Sequence, residues 1–186
     1  MKKFFTIVVS VIICEFAIPV WANDGAIIHQ QKIIDELKTL SSIPVIFPGK
    51  TPPRTDNFYM SYASDAIHPD FNQYWRLNVD ATPDCHGIHV CNIGFISAEK
   101  NAKINLHYHS LPDNKDHLKE RVKLKNNINA YFTPFHIQAS GVNPTLEWSV
   151  SHVLYTLSWR IPSADPAEQK KILVEMANSA TSEDRY

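Results

Sequence analysis

The stretch Leu146-Glu-Trp-Ser-Val-Ser-His-Val-Leu-Tyr-Thr-Leu-Ser-Trp-Arg-Ile161 decides how this chain folds. Leu146, Trp148 and Val150 alternate with Glu147 and Ser149, and Val153, Tyr155, Leu157, Trp159 and Ile161 alternate with Leu154, Thr156, Ser158 and Arg160. Period-two patterning reads as a strand with one buried side. Two such runs separated by Ser151-His152 read as a β-hairpin. The next residues change period. Asp165 is a candidate N-cap, Pro166 sits at the first helical position, and Glu168 stands where a capping box needs it. Ile172, Leu173, Met176, Ala177 and Ala180 then make one apolar helix face over 165–180.

Working outward, strand patterns continue toward the N-terminus. Phe58 to Ala63 is aromatic-rich, and Tyr74 to Asp80 alternates with Trp75, Leu77 and Val79 on one side. Gly87 to Ser97 leads into a further strand. Ile104, Leu106 and Tyr108 alternate with Asn105, His107 and His109. Val122 and Leu124 precede Asn126-Asn127, and Ile128, Ala130 and Phe132 follow, which predicts a hairpin or tight corner. Val45-Ile46-Phe47 predicts one more short strand. Pro48, Pro52 and Pro53 predict an extended loop over 48–57. Residues 24–40 read as a helix, capped by Asp24, with Ile27, Ile33, Ile34, Leu37 and Leu40 as its stripe. The expectation is an α+β fold: an antiparallel sheet of about five to seven strands packed against an N-terminal and a C-terminal helix. No repeat or linker divides it, so residues 23–180 are expected to be one domain and 181–186 a frayed tail.

The chain begins with an export signal pattern. Lys2 and Lys3 precede an apolar run from Phe4 to Cys14, Glu15 interrupts it, and Val20-Trp21-Ala22 offers small residues at both cleavage positions. The eleven-residue run is too short to cross a bilayer core of about 30 Å as a helix. Ile13 is too large for the residue before an acylated cysteine, so cleavage after Ala22 is preferred to lipidation of Cys14. The expected product starts at Asn23, is periplasmic or secreted, and has no stable membrane span. Cleavage leaves two cysteines, Cys85 and Cys91, and in an oxidising compartment these read as a disulfide. In the chain-entropy model a loop of about seven residues contributes roughly 2.4 kcal/mol. The alternative is a zinc site from Cys85, His86, His89 and Cys91.

Composition excludes several functions. The 186 residues carry 18 Lys+Arg against 19 Asp+Glu, a net charge of -1, so no field draws in DNA or RNA. With 5 glycines, phosphate cradles are scarce. Pro48-Gly49-Lys50-Thr51 resembles the end of a P-loop, but the glycine required five positions earlier is Pro44. Ser97-Ala98-Glu99-Lys100 fits S-x-x-K without its companion motifs. Asp65, Asp70, Asp80 and Asp84 are carboxylates with no partner at a defined spacing. His107-Tyr108-His109 puts two imidazoles on one strand face. That is a geometry metals use, with His117, His136 or His152 as a distant third ligand. The bland reading makes His107 and His109 the solvent side of a strand.

Cys85-His-Gly-Ile-His-Val-Cys91-Asn-Ile-Gly94, Tyr131-Phe132-x-Pro134, Trp148, Tyr155-Thr-Leu157 and Ala177-Asn178-Ser179 occur in that order. Over residues 43–180 this pattern resembles a loosely defined group of small exported bacterial proteins without an assigned activity. The resemblance implies export, one α+β domain and the 85–91 disulfide, and it implies no catalytic residue. The expected function is an exported, non-enzymatic binding or accessory module for an unknown small molecule or protein. It would use the 48–57 loop, the 64–73 segment and the cysteine loop, and would need no cofactor. One alternative is a protein that binds zinc or another transition metal, or a metal-dependent enzyme, using His107 and His109. The other is an inhibitor or effector that presents the 48–57 loop.

Overall fold

In the computed structural model of the chain, the described residues are 24–52, 58–63, 69–85, 91–110, 115–134 and 143–180. The expected signal segment 1–22 and tail 181–186 lie outside them. The elements in order are α1 (Asp24–Leu40), β1 (Tyr59–Ala63), β2 (Tyr74–Asp80), β3 (Asn92–Lys100), β4 (His107–Ser110), β5 (Lys115–Leu118), β6 (Glu120–Lys123), β7 (Asn129–Thr133), β8 (Thr145–Val150), β9 (Val153–Trp159) and α2 (Pro166–Ala180). Seven strands form one sheet in the order β1-β2-β3-β9-β8-β7-β6. Every neighbouring pair is antiparallel. The fold is α+β. Two meanders, β1–β3 and β6–β9, meet along the β3–β9 seam.

Strand alternation explains which side is buried. Register aligns Trp75, Ala98, Tyr155, Trp148 and Ala130 in one lateral row. Leu77, Ile96, Leu157, Leu146 and Phe132 form the next. None of these ten side chains is more than 1% exposed. The helices cover this side, α1 packing on β1 and α2 on β8 and β9. Leu37 of α1 and Leu173, Met176, Ala177 and Ala180 of α2 are buried, while Ile172 is half-buried and Leu40 is exposed. Gly94, opposite Trp159, lies where a Cβ would come within 2.4 Å of the Ser158 carbonyl oxygen. Only glycine lets these two strands approach so closely.

The start of α2 refines the expected cap. Asp165 Oδ1 accepts from the Ala167 N–H at 2.9 Å. Glu168 does not return to the Asp165 N–H. That N–H donates to Ser163 Oγ at 3.2 Å, and the Ser163 hydroxyl donates to Glu168 Oε2 at 2.5 Å. Ser163 thus relays the capping box.

Two strand expectations are corrected. Val45-Ile46-Phe47 joins no strand; residues 41–52 form an extended strap. Ser41 Oγ donates to the Phe71 carbonyl at 2.6 Å, and the Ser42 N–H to Asn72 Oδ1 at 2.8 Å. Further along, the Lys50 N–H donates to Ser179 Oγ at 3.2 Å. The strap crosses the covered side, burying Ile43, Val45 and Ile46, so its backbone meets helix and loop instead of a strand edge. The second correction concerns 104–109. Its strand is β4, which among the described residues pairs only with β5, in a separate two-stranded ribbon. Leu106, just before β4, and Leu118 of β5 are 44% and 69% exposed, so neither leucine packs into the core.

The β8–β9 turn is made from poorly suited residues. Val150 pairs with Val153, and the two residues between them, Ser151 and His152, have φ of 50° and 64°. Such a turn ordinarily takes Asn-Gly, because other L-residues lose roughly 1–2 kcal/mol each in the left-handed region. The combined change Ser151→Asn and His152→Gly is expected to stabilise the fold by about 1–2 kcal/mol. A urea melt reads this as a raised midpoint at unchanged slope.

Candidate functional site

A cleft of about 390 Å³ opens at the end of the sheet carrying this turn. That lies within the range of about 300–1,000 Å³ typical of small-molecule sites. Register builds its floor. Lys100, Val153 and Val150 stand opposite one another on β3, β9 and β8, one row outward from Ala98, Tyr155 and Trp148. The strap residues Ser42, Ile43 and Pro44 form the facing wall, and Ser151 lines the end. Tyr155 ties wall to floor by donating its hydroxyl to the Pro44 carbonyl at 3.2 Å. Its ring lies between two indoles, stacked on Trp148 at 5.7 Å and tilted against Trp75 at 6.4 Å. The floor is therefore rigid, and the wall is held at the Ser41 and Ser42 hydrogen bonds.

Lys100 breaks the pattern of its strand. Positions 94, 96 and 98 put Gly, Ile and Ala on the helix-covered side, and the same alternation puts a lysine there at position 100. Its backbone N–H donates to the Gln73 carbonyl at 2.9 Å. It is exposed, and among the described residues it is the one charged residue lining the cleft.

The uncovered side of the sheet is polar. Arg76, Ser97, Thr156, Glu147, Tyr131 and Arg121 form a lateral row across it. Its charges are already engaged. Lys119 forms an ion pair with Glu147, the two side chains retaining 9% and 16% exposure. Arg76 lies 3.7 Å over the Phe95 ring and donates to Asn78 Oδ1 at 2.7 Å. Arg121 donates to Asn129 Oδ1 at 2.8 Å.

The residues singled out by sequence divide as follows. Cys85 and Cys91 are joined as a disulfide, Cα–Cα 5.8 Å, so neither sulfur offers a thiolate to a metal. His86 and His89 lie outside the described residues. His107 is exposed, and its strand register sets it opposite Leu118; His109 is set opposite Asp116. His117 is opposite Tyr108 and stacks on its ring at 5.4 Å, which places it on the other side of the ribbon from His107. His152 sits in the distant β8–β9 turn, and His136 lies outside the described residues. Among the described residues no group of three or more His, Cys, Asp or Glu is placed to hold a metal.

Two of the carboxylates hold the backbone in place. Asp70 Oδ1 accepts from the Asn72 N–H at 2.9 Å. Asp80 is buried and accepts from Asn92 Nδ2 at 2.8 Å, beside the bulge at Val79/Asp80. Asp84 is exposed, and Asp65 lies outside the described residues. Ser97 and Lys100 of the S-x-x-K match fall on opposite sides of the sheet, so they cannot act as a nucleophile and base pair. The Ala177-Asn178-Ser179 pattern is structural. Asn178 Oδ1 accepts from the Lys125 N–H at 2.7 Å, and Ser179 holds the strap. Of the segments expected to bind ligand, 53–57, 64–68 and 86–90 lie outside the described residues.

No helix among the described residues is long and apolar enough to cross a membrane. Comparison with family models, curated proteins and solved structures finds no match for this chain.

Proposed function

We propose that this chain is an exported, non-enzymatic binding module, and that its ligand enters the cleft between the strap and the β8–β9 hairpin. The cleft carries this reading. Among the described residues it is walled chiefly by Ile43, Pro44, Val150, Val153 and Tyr155, with two serines and one lysine as the remaining lining. An apolar pocket with a few polar groups suits retention of a small molecule. Export rests on the pattern of residues 1–22, and the Cys85–Cys91 disulfide is compatible with an oxidising compartment. The resemblance over 43–180 points to the same class of protein.

The test uses N-phenyl-1-naphthylamine, a neutral apolar fluorophore, on protein purified from the exporting cell. Its fluorescence is expected to rise on binding, and Ser42→Trp, which fills the cleft from an exposed position, is expected to abolish the rise at an unchanged melting temperature. Fluorescence indifferent to Ser42→Trp removes the cleft as the site. Recovery of the chain uncleaved in the cytosolic fraction removes export.

A further inference from the structure

We infer that the ligand of this cleft is a small amphiphilic anion, with its apolar body against Val150, Val153 and Tyr155 and its negative head on the Lys100 ammonium. This rests on the cleft being the binding site and goes beyond it by naming the chemistry bound. Three observations converge. Lys100 occupies a position that strand alternation reserves for the covered, apolar side, where Gly94, Ile96 and Ala98 precede it. Sequences violate such local rules mainly where function requires it. Among the described residues it is also the one charge lining the cleft, and its ammonium has no carboxylate partner among them. The Lys119 and Lys170 ammonium groups are paired, with Glu147 and Glu120.

The third observation is the turn that closes the end of the cleft. Ser151 lines it while held at φ 50°, next to His152 at 64°. Strained non-glycine backbone persists where surrounding structure enforces it, and it gathers at ligand sites. Here the Asn101 N–H, following Lys100, donates to the His152 carbonyl at 2.7 Å and locks the turn to the end of β3. The cation, the strained turn and the apolar floor are thus one unit. Ser42 and Ser151 add hydroxyls at the rim that can donate to an anionic head. Among the described residues no acidic side chain lines the cleft to repel it.

Octanoate and octanol share an apolar body and differ in the head, so their comparison isolates the charge. Calorimetric titration of the wild-type protein is expected to give octanoate an affinity about fivefold to tenfold above octanol, falling toward parity as salt is raised. Lys100→Gln is expected to lose this preference and Lys100→Arg to retain it. Binding of the neutral fluorophore to the wild-type protein, and its loss in Ser42→Trp, report the cleft apart from the charge. Equal binding of acid and alcohol by a protein whose fluorophore signal still depends on Ser42 overturns the anion assignment and leaves the cleft reading standing. A fluorophore signal independent of Ser42 overturns both. A dimer in sedimentation that Ser42→Trp dissociates also overturns the assignment, making the occupant a second copy of the chain.

Discussion

Trp159→Ala is expected to cost about 3–5 kcal/mol, the range for truncating a fully buried tryptophan. Its side chain is 0% exposed and stands opposite Gly94, with the Phe58 ring edge-on at 6.2 Å. No acceptor among the described residues reaches its indole N–H, so the loss is one of packing alone. Gly94 leaves no side chain to move into the space, and the close β3–β9 approach limits collapse of the cavity. The loss is a large share of the roughly 5–15 kcal/mol that holds a domain together. Exposed His107 provides the contrast: His107→Ala is expected within about 0.5 kcal/mol of wild type, and a chelator is expected to leave the wild-type midpoint unchanged. Paired urea melts check all three. A larger loss at His107 than at Trp159, or a midpoint lowered by the chelator, would make 107–109 a metal site that folding depends on.

Lys119→Met carries the second large effect, through the partner it leaves behind. The Lys119 and Glu147 side chains are 9% and 16% exposed, so each has given up most of its hydration. Removing one ion of a fully buried pair costs about 3–5 kcal/mol, because the other stays desolvated and uncompensated. The residual exposure here reduces the expectation to about 2–3 kcal/mol. Replacing both, Lys119→Met with Glu147→Leu, is expected to recover most of that loss, since no charge remains to be desolvated. A double-mutant cycle by urea denaturation measures it. Additive losses would mean that the two residues act independently of each other.

Much of the sheet was legible because its signal is local. Trp75, Leu77 and Val79, and the run from Leu146 to Ile161, declare their buried side by alternation whatever lies opposite. Asp165 and Pro166 likewise mark a helix start without tertiary help. Val45-Ile46-Phe47 misled because strap and strand share an extended backbone; what separates them is whether a neighbouring strand supplies hydrogen bonds, and that neighbour is not in the local sequence. The cleft was illegible for a related reason. It depends on Pro44 meeting Tyr155 across 111 positions of sequence. Its one local clue, a lysine on an apolar register, requires knowing that β3 runs on to Lys100, and the pattern read from sequence ends at Ser97. Ser163 has no local signature, because a capping box is defined by two residues and the third relays it only once the loop has folded back.

The β3–β9 seam has a consequence for how the chain is made. β3 is complete at residue 100, yet the strand that pairs with its outer edge is the last one among the described residues, at 153–159. A polypeptide delivered N-terminus first, by a ribosome or through a membrane pore, holds that edge open until residues 153–159 have emerged. Open strand edges template pairing with other chains, and pairings distant in sequence form slowly. The first meander thus remains exposed to aggregation until the second closes against it. Shortening the chain to before residue 153 would remove the middle of the sheet, so completion of this sheet waits on residues 153–159.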